Sequence, residues 1–211
     1  MTAHHGHPSR GRAPAAMSAL AAGLFLAAAL SPVSAAAEPA RFELDPEHTT
    51  VAFLVSHIGF AQTLGVFHEV DGGYTYDPET QELSDLEIVV RTASVDTFHD
   101  RRDEHVRSDD FLDVEAHPTM TFRMTDATPE GETTGTVTGD LTLLGETRPI
   151  TLDVTLNKIG PYPYGNPPNF VIGISARGAL DRSAWGMTYG VGNGLVGDRV
   201  ELLIEAEAIR Q

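Results

Sequence analysis

The chain has 211 residues, no cysteine and a formal net charge of −16, with 30 acidic side chains against 14 Lys and Arg. Such an acidic balance repels polyanions, so nucleic acid is excluded as a natural partner. Without cysteine there is neither a disulfide nor a thiolate metal centre, and the fold must hold by packing alone.

At the N-terminus, Arg10 and Arg12 precede an uncharged apolar core from Leu20 to Leu30, and Ser34-Ala35-Ala36-Ala37 stands just before Glu38. This order predicts a cleavable signal peptide over residues 1–37, and hence export to the periplasm. The core falls short of the roughly 20 residues that a membrane-spanning helix needs. An uncleaved anchor is the alternative, because the uncharged stretch extends from Ala13 to Ala37. Residues 38–211 then suit one domain with a core of its own, and they hold every acidic residue of the chain.

Period-two alternation dominates this remainder. After a short edge at Phe42 to Leu44, Val51, Phe53, Val55 and His57 share one face of a strand. Further strands are predicted at Val66 to Tyr76, Leu86 to Val95, Thr119 to Thr128 and Thr133 to Leu143. Ile150, Leu152, Val154 and Leu156 alternate with polar residues on the next, and Phe170 to Leu180 forms another. In the last strand Val200, Leu202, Ile204, Ala206 and Ala208 point one way and Glu201, Glu205 and Glu207 the other; only Leu203 breaks the pattern. Two stretches differ. Thr97 to Ser108 is polar and rich in helix formers, with Asp100 and Glu104 one turn apart, and predicts a short surface helix. Gly160 to Asn169 is dense in Gly and Pro and predicts an irregular connection.

About eight or nine one-sided strands joined by short turns are antiparallel hairpins, and they hide their apolar faces in a barrel or a sandwich. A barrel has the added merit of leaving no exposed edge.

Four blocks carry a family likeness: DPEHTTVAFLVSHIGFAQTLGVF (Asp45 to Phe67), SVDTFHDRRDEHVRSDDFLDVEAHPTMTF (Ser94 to Phe122), TGDLTLLGETRPITLDV (Thr138 to Val154) and DRSAWGM (Asp181 to Met187). In this order they resemble the YceI-like family of polyisoprenoid-binding proteins over essentially all of residues 38–211. The resemblance implies an all-β fold: an extended eight-stranded antiparallel barrel, lipocalin-like in outline, with one short helix inserted around residues 97–108. It also implies an elongated internal cavity for an isoprenoid or quinone-type lipid, a periplasmic setting and, for some members, a homodimer. Where relatives often carry two consecutive aromatics after the helix, this chain has Phe111-Leu112.

On composition alone the inward residues fit a packed core; the resemblance points instead to an open lumen lined by Phe53, Val55, Phe67, Ile88, Val90, Phe122, Leu152 and Ile174, with Leu86, Leu141, Val154, Ile172, Leu202, Ile204 and the small Ala52, Ala176, Ala206 and Ala208 among them. His57, Phe60, Leu64 and Phe111 complete the candidate lining. Arg102 and His105, with Arg101 and Arg107, form the largest local concentration of positive charge and are candidates to meet a polar head group; the alternative is a solvated helix face paired with Asp100, Asp103 and Glu104. Trp185 and Met187 are candidate mouth residues, with core filling as the alternative reading of Trp185. His57, on an apolar strand face, also reads as a hydrogen-bonded core histidine, and Arg182 as a bridge to a nearby acid.

The six histidines of residues 38–211 match no compact metal signature, so no metal and no other cofactor is expected. Neither a cysteine nor a GxSxG elbow is present to act as nucleophile, and no catalytic residue is assigned. The competing functions are an enzyme acting on an isoprenoid lipid, with acid/base groups around His105 and Asp103, and a filled barrel that docks a membrane redox protein.

Overall fold

The computed structural model describes residues 38–211; the signal peptide expected over residues 1–37 lies outside the described residues. Residues 38–211 fall within one compact unit.

Its strands follow the alternation. They are β1 (Ala40–Leu44), β2 (Thr50–His57), β3 (Ala61–Phe67), β4 (Val70–Asp77), β5 (Glu82–Arg91), the two-residue β6 (Val95–Asp96), β7 (Thr119–Pro129), β8 (Thr134–Leu143), β9 (Glu146–Gly165), β10 (Pro168–Asp181) and β11 (Val196–Arg210). One helix, α1 (Asp100–Arg107), interrupts them. All pair antiparallel in a single sheet that closes on itself as an eight-membered ring, β1, β4, β5, β7, β8, β9, β10 and β11. β2, β3 and β6 are not extra layers. β2 continues β1 along the edge of β11, with Leu44 opposite Ala208 and Val51 opposite Ile204. β3 likewise continues β4, pairing with β2 as β4 pairs with β1.

Four expectations need correction here, the first being that the strand expected at Leu86 to Val95 ends at Arg91, where the 3-10 turn Thr92–Ser94 diverts the chain and Val95 pairs with β3 instead. The Phe42 to Leu44 segment is no edge: β1 lies between β4 and β11 and closes the ring. The strand expected at Val66 to Tyr76 breaks at His68 and Glu69, whose amides turn aside to the Ser94 carbonyl and Ser94 Oγ. Gly160 to Asn169 is the end of the β9–β10 hairpin, with Pro161 opposite Phe170 and Gly165 opposite Pro168, the register shifting between these two pairs. Its prolines are tolerated because β9 runs past the start of β8, where it has no second neighbour to serve.

The ends of the barrel differ. Tight turns at 78–81, 130–133 and 166–167 form one, the turn end. The other, the helix end, carries residues 58–60, the long 97–118 insertion with α1, and the 182–195 loop. Asp103, buried in α1, anchors the insertion by accepting from the Thr97 amide at 2.7 Å and from Thr97 Oγ1 at 2.5 Å.

The break between β1 and β2 is tied by polar contacts. The Asp45 amide donates to the Glu207 carbonyl and the Glu207 amide to the His48 carbonyl, while His48 Nδ1 meets Asp45 Oδ2 at 2.8 Å. That contact raises the His48 pKa and lowers that of Asp45, with the nearby Glu207 and Glu47 adding to the first effect. A raised histidine pKa contributes stability below the unfolded value of 6.5 and loses it as pH rises through the folded value; a depressed aspartate contributes above 3.8 and loses it as pH falls through its folded value. The contact is therefore strongest between those limits. A thermal melting series across pH 4 to 8 should show the His48→Ala protein losing the decline that the parent shows above about pH 6.5.

Candidate functional site

The barrel is hollow. Inward side chains enclose a cavity of about 640 Å³ that reaches from Gln81, Glu132 and Thr133 at the turn end to Arg102, His105, Tyr189 and Leu195 at the helix end. Its volume falls within the roughly 300–1,000 Å³ of small-molecule sites. Between its ends the wall is almost wholly aliphatic and aromatic: Val51, Phe53, Val55, Leu86, Ile88, Val90, Phe122, Leu141, Leu152, Val154, Ile174, Leu202 and Ile204 alternate with outward residues that are mostly polar, Ala52, Leu54, Val89 and Leu203 excepted.

Sterics keep this space open. Phe53 lies opposite Gly65 on the neighbouring strand, and a Cβ at Gly65 would stand 2.2 Å from Phe53 Cζ. Phe122 is laid down in the same way over Gly139, where a Cβ would stand 2.5 Å from its Cζ. Each ring lies flat along the wall because its neighbour has no side chain. Phe53 then meets the Phe67 ring at 5.6 Å, a tilted pair that lines the lumen without crossing it.

The helix end is organised around Arg182, which is only 2% exposed. Its Nε donates to the Gly197 carbonyl, Nη1 to Met187, and Nη2 to Tyr189 and Val196. One guanidinium thus satisfies four carbonyls of the 182–195 loop and the start of β11. Burial lowers its pKa, opposed by the charge of Asp198. No bridge to an acid forms; Asp198 instead accepts from the amide and hydroxyl of Ser183. Beside Arg182, whose Cζ is 5.6 Å from the Phe111 ring centre, three rings meet: His105 and Phe111 at 5.0 Å, His105 and Tyr189 at 4.9 Å, and Phe111 and Tyr189 at 5.2 Å. His105 Nε2 also contacts Asp110 Oδ2 at 2.8 Å.

Of the residues singled out from sequence, Phe53, Val55, His57, Phe67, Ile88, Val90, Arg102, His105, Phe111, Phe122, Leu152, Ile174 and Met187 line the cavity. Arg102 is half committed there, with Nε on Thr97 Oγ1 at 2.8 Å and Nη2 on the Thr97 carbonyl at 2.5 Å. His57 is exposed at the end of β2 rather than a core histidine.

Phe60, Leu64 and Trp185 are not in the lining. Phe60 stands 89% exposed at the β2–β3 turn, and Leu64, paired with Leu54, points outward because it is out of step with Thr63 and Phe67. Ala52, out of step with Val51 and Phe53, lies outside the lining for the same reason. Trp185 is buried in the core, its Nε1 donating to the Leu141 carbonyl at 3.1 Å, so it holds the 182–195 loop against β8. Tyr189 and Leu195 were missed because an uncharged, Gly-rich loop offers no periodicity to read.

Among the described residues three potential metal-ligating side chains converge at one place. Asp45, His48 and Glu207 bring ligand-type atoms within 4.8 Å of one another, with His48 exposed; the Asp45–His48 hydrogen bond and the backbone bonds of both residues to Glu207 account for this proximity.

A closed antiparallel barrel with a through-running apolar lumen defines a lipocalin-like binding architecture. Residues 42–208 match the YceI-like domain, and the chain belongs to that family. A UPF0312 protein of Ectopseudomonas mendocina is 36% identical over 190 residues, covering 90% of this chain and 97% of the relative. The crystal structure of a Campylobacter jejuni YCEI protein superimposes with a TM-score of 0.67 at 29% identity, over 74% of this chain and 90% of that one. A polyisoprenoid binding domain from Saccharophagus degradans shares the fold, with a TM-score of 0.59 at 15% identity, over 82% of this chain and all of that one.

Two substitutions probe this construction. Gly65→Ala should cost about 1–3 kcal/mol by forcing the Phe53 ring off the wall, and adding Phe53→Leu should recover much of that loss in denaturant titrations, a coupling absent if the two do not touch. Arg182→Met should cost about 3 kcal/mol or more, because it strands buried carbonyls; calorimetry would show this as a large fall in melting temperature.

Proposed function

We propose that the lumen binds one long apolar lipid chain, isoprenoid or quinone-type, which the protein carries or stores without transforming it, in the periplasm. The observation that carries this reading is the continuous apolar cavity from one end of the barrel to the other, with charged groups only near its ends. The domain from Saccharophagus degradans that shares the fold is itself described as polyisoprenoid binding, which supports the same class of cargo. The periplasmic setting rests on the basic, apolar and small-residue order of residues 1–37.

The energetics suit the assignment. A polyprenyl tail burying several hundred Å² gains on the order of 10 to 15 kcal/mol at ~25 cal/mol/Å², set against an association cost of roughly 4 to 15 kcal/mol. Because the driving term scales with apolar area and has no direction, chain length governs affinity more than head-group detail. At the helix end, Arg102 Nη1, which has no hydrogen-bond partner among the described residues, and the His105 ring can meet an oxygen of the head group.

Native mass spectrometry of purified residues 38–211 should show a retained lipid mass, and solvent extraction should identify it. Affinities for a series of prenols should rise with prenyl number and level off when the lumen is full. A flat series, or turnover of the bound lipid, would count against a carrier.

A further inference from the structure

We propose that the helix end of the barrel docks on a net-neutral phospholipid surface through an apolar rim, so that the lumen opens against the bilayer. Only the identity of the cargo in this proposal rests on the lipid-binding reading above.

The exposed large hydrophobic residues are not scattered. Phe60 (89% exposed), Ile58, Leu64, Tyr189 and Leu195 all belong to the β2–β3 hairpin or the loop before β11, and Phe98 (65%) lies against the base of the same hairpin, beside Val66, Phe67 and His68. Among the described residues only Tyr164, on the β9–β10 hairpin, is exposed elsewhere. Solvation gives no reason to display these side chains, and backbone strain helps to do it: Ile58 and Phe98 adopt φ of 50° and 65°, a region costly for a β-branched or bulky residue.

The rim is continuous with the lumen. The Ile58 amide donates to the Leu195 carbonyl at 3.0 Å, joining the hairpin tip to the 182–195 loop, and Leu195 and Tyr189 are themselves cavity-lining residues. A hydrocarbon chain leaving a bilayer here would enter the barrel without first being exposed to water.

Charge selects the partner. Residues 49–67 and 183–197 contain no Asp, Glu, Lys or Arg, although 21% of the chain is charged. These two segments give a charged protein no ion pair and a zwitterionic bilayer little repulsion, its headgroup boundary accepting exposed aromatic and aliphatic side chains, while the exposed charges of the helix end lie beside them on the 97–118 insertion and at Glu146 and Arg148. A second copy seated on the rim would instead bring two strongly acidic bodies together and occlude both openings.

The test uses residues 38–211, which close into a barrel by themselves, in flotation with phosphatidylcholine vesicles. The double variant Phe60→Ser, Ile58→Asn removes two rim side chains, and asparagine tolerates the positive φ at 58. The parent should co-float, and the floated fraction of the variant should fall about tenfold, with prenol uptake from detergent solution equal in both. Docking is overturned if the parent stays with the soluble fraction, if the variant floats as well as the parent, or if the parent sediments as a dimer that the variant splits. Failure of both proteins to take up prenol from detergent would instead reject the cargo, whatever flotation shows.

Discussion

The structure depends on one seam. Among the described residues β11 is the only strand that serves three others, pairing along one side with β10 and along the other with β1 and then β2. If this edge opens, the lumen becomes the exposed face of a sheet. Closure matters more here than in a filled barrel, because the centre contributes fewer contacts. The wall, the packed helix end and the smaller cluster of Phe42, Tyr74, Ile172 and Ala208 near the turn end must supply them. The break between β1 and β2 lies on that seam, which is why the polar ties of Asp45, His48 and Glu207 gather there.

An empty interior also has to be defended from its own side chains. Phenylalanines on an inward face would ordinarily meet across the axis. Gly65 and Gly139 give two of them a place against the wall, a use of glycine that follows from close approach rather than from backbone freedom. At the helix end the same problem has a polar solution: Arg182 pins two carbonyls of its own loop to two at the start of β11, so that Tyr189 and Met187 are held beside the lumen.

Much of this was legible in the sequence, for a physical reason. Alternation in β11 placed Val200, Leu202, Ile204 and Ala206 correctly, because a period of two survives any twist or tilt of the strand. The same rule would have placed Leu64 and Ala52 outside, since each falls between inward neighbours, but hydrophobicity or small size outweighed parity in assigning them. Leu203, the exception in β11, faces Ala52 across the outer wall. What alternation cannot reach is non-local. Nothing near Arg182 in the chain marks four carbonyls as its acceptors, and a short 3-10 turn, Arg182–Trp185, directs Trp185 into the core. Nor does sequence spacing reveal that Phe53 would lie on Gly65, which depends on the register of the hairpin.

The wall between β5 and β7 is incomplete. Their ladder joins Glu87–Arg91 to Thr119–Arg123 only, and toward the turn end the two strands run on without pairing, spanned by the bond from Gln81 Nε2 to the Glu132 carbonyl at 3.0 Å. Leu83, Ala127 and Thr128, on either side of that gap, belong to the cavity lining. If the lumen carries a lipid chain as proposed, a wall unstitched along its flank would make it a poor ruler: a guest longer than the chamber could part the two strands and hang its surplus through the side, leaving the gripped length fixed.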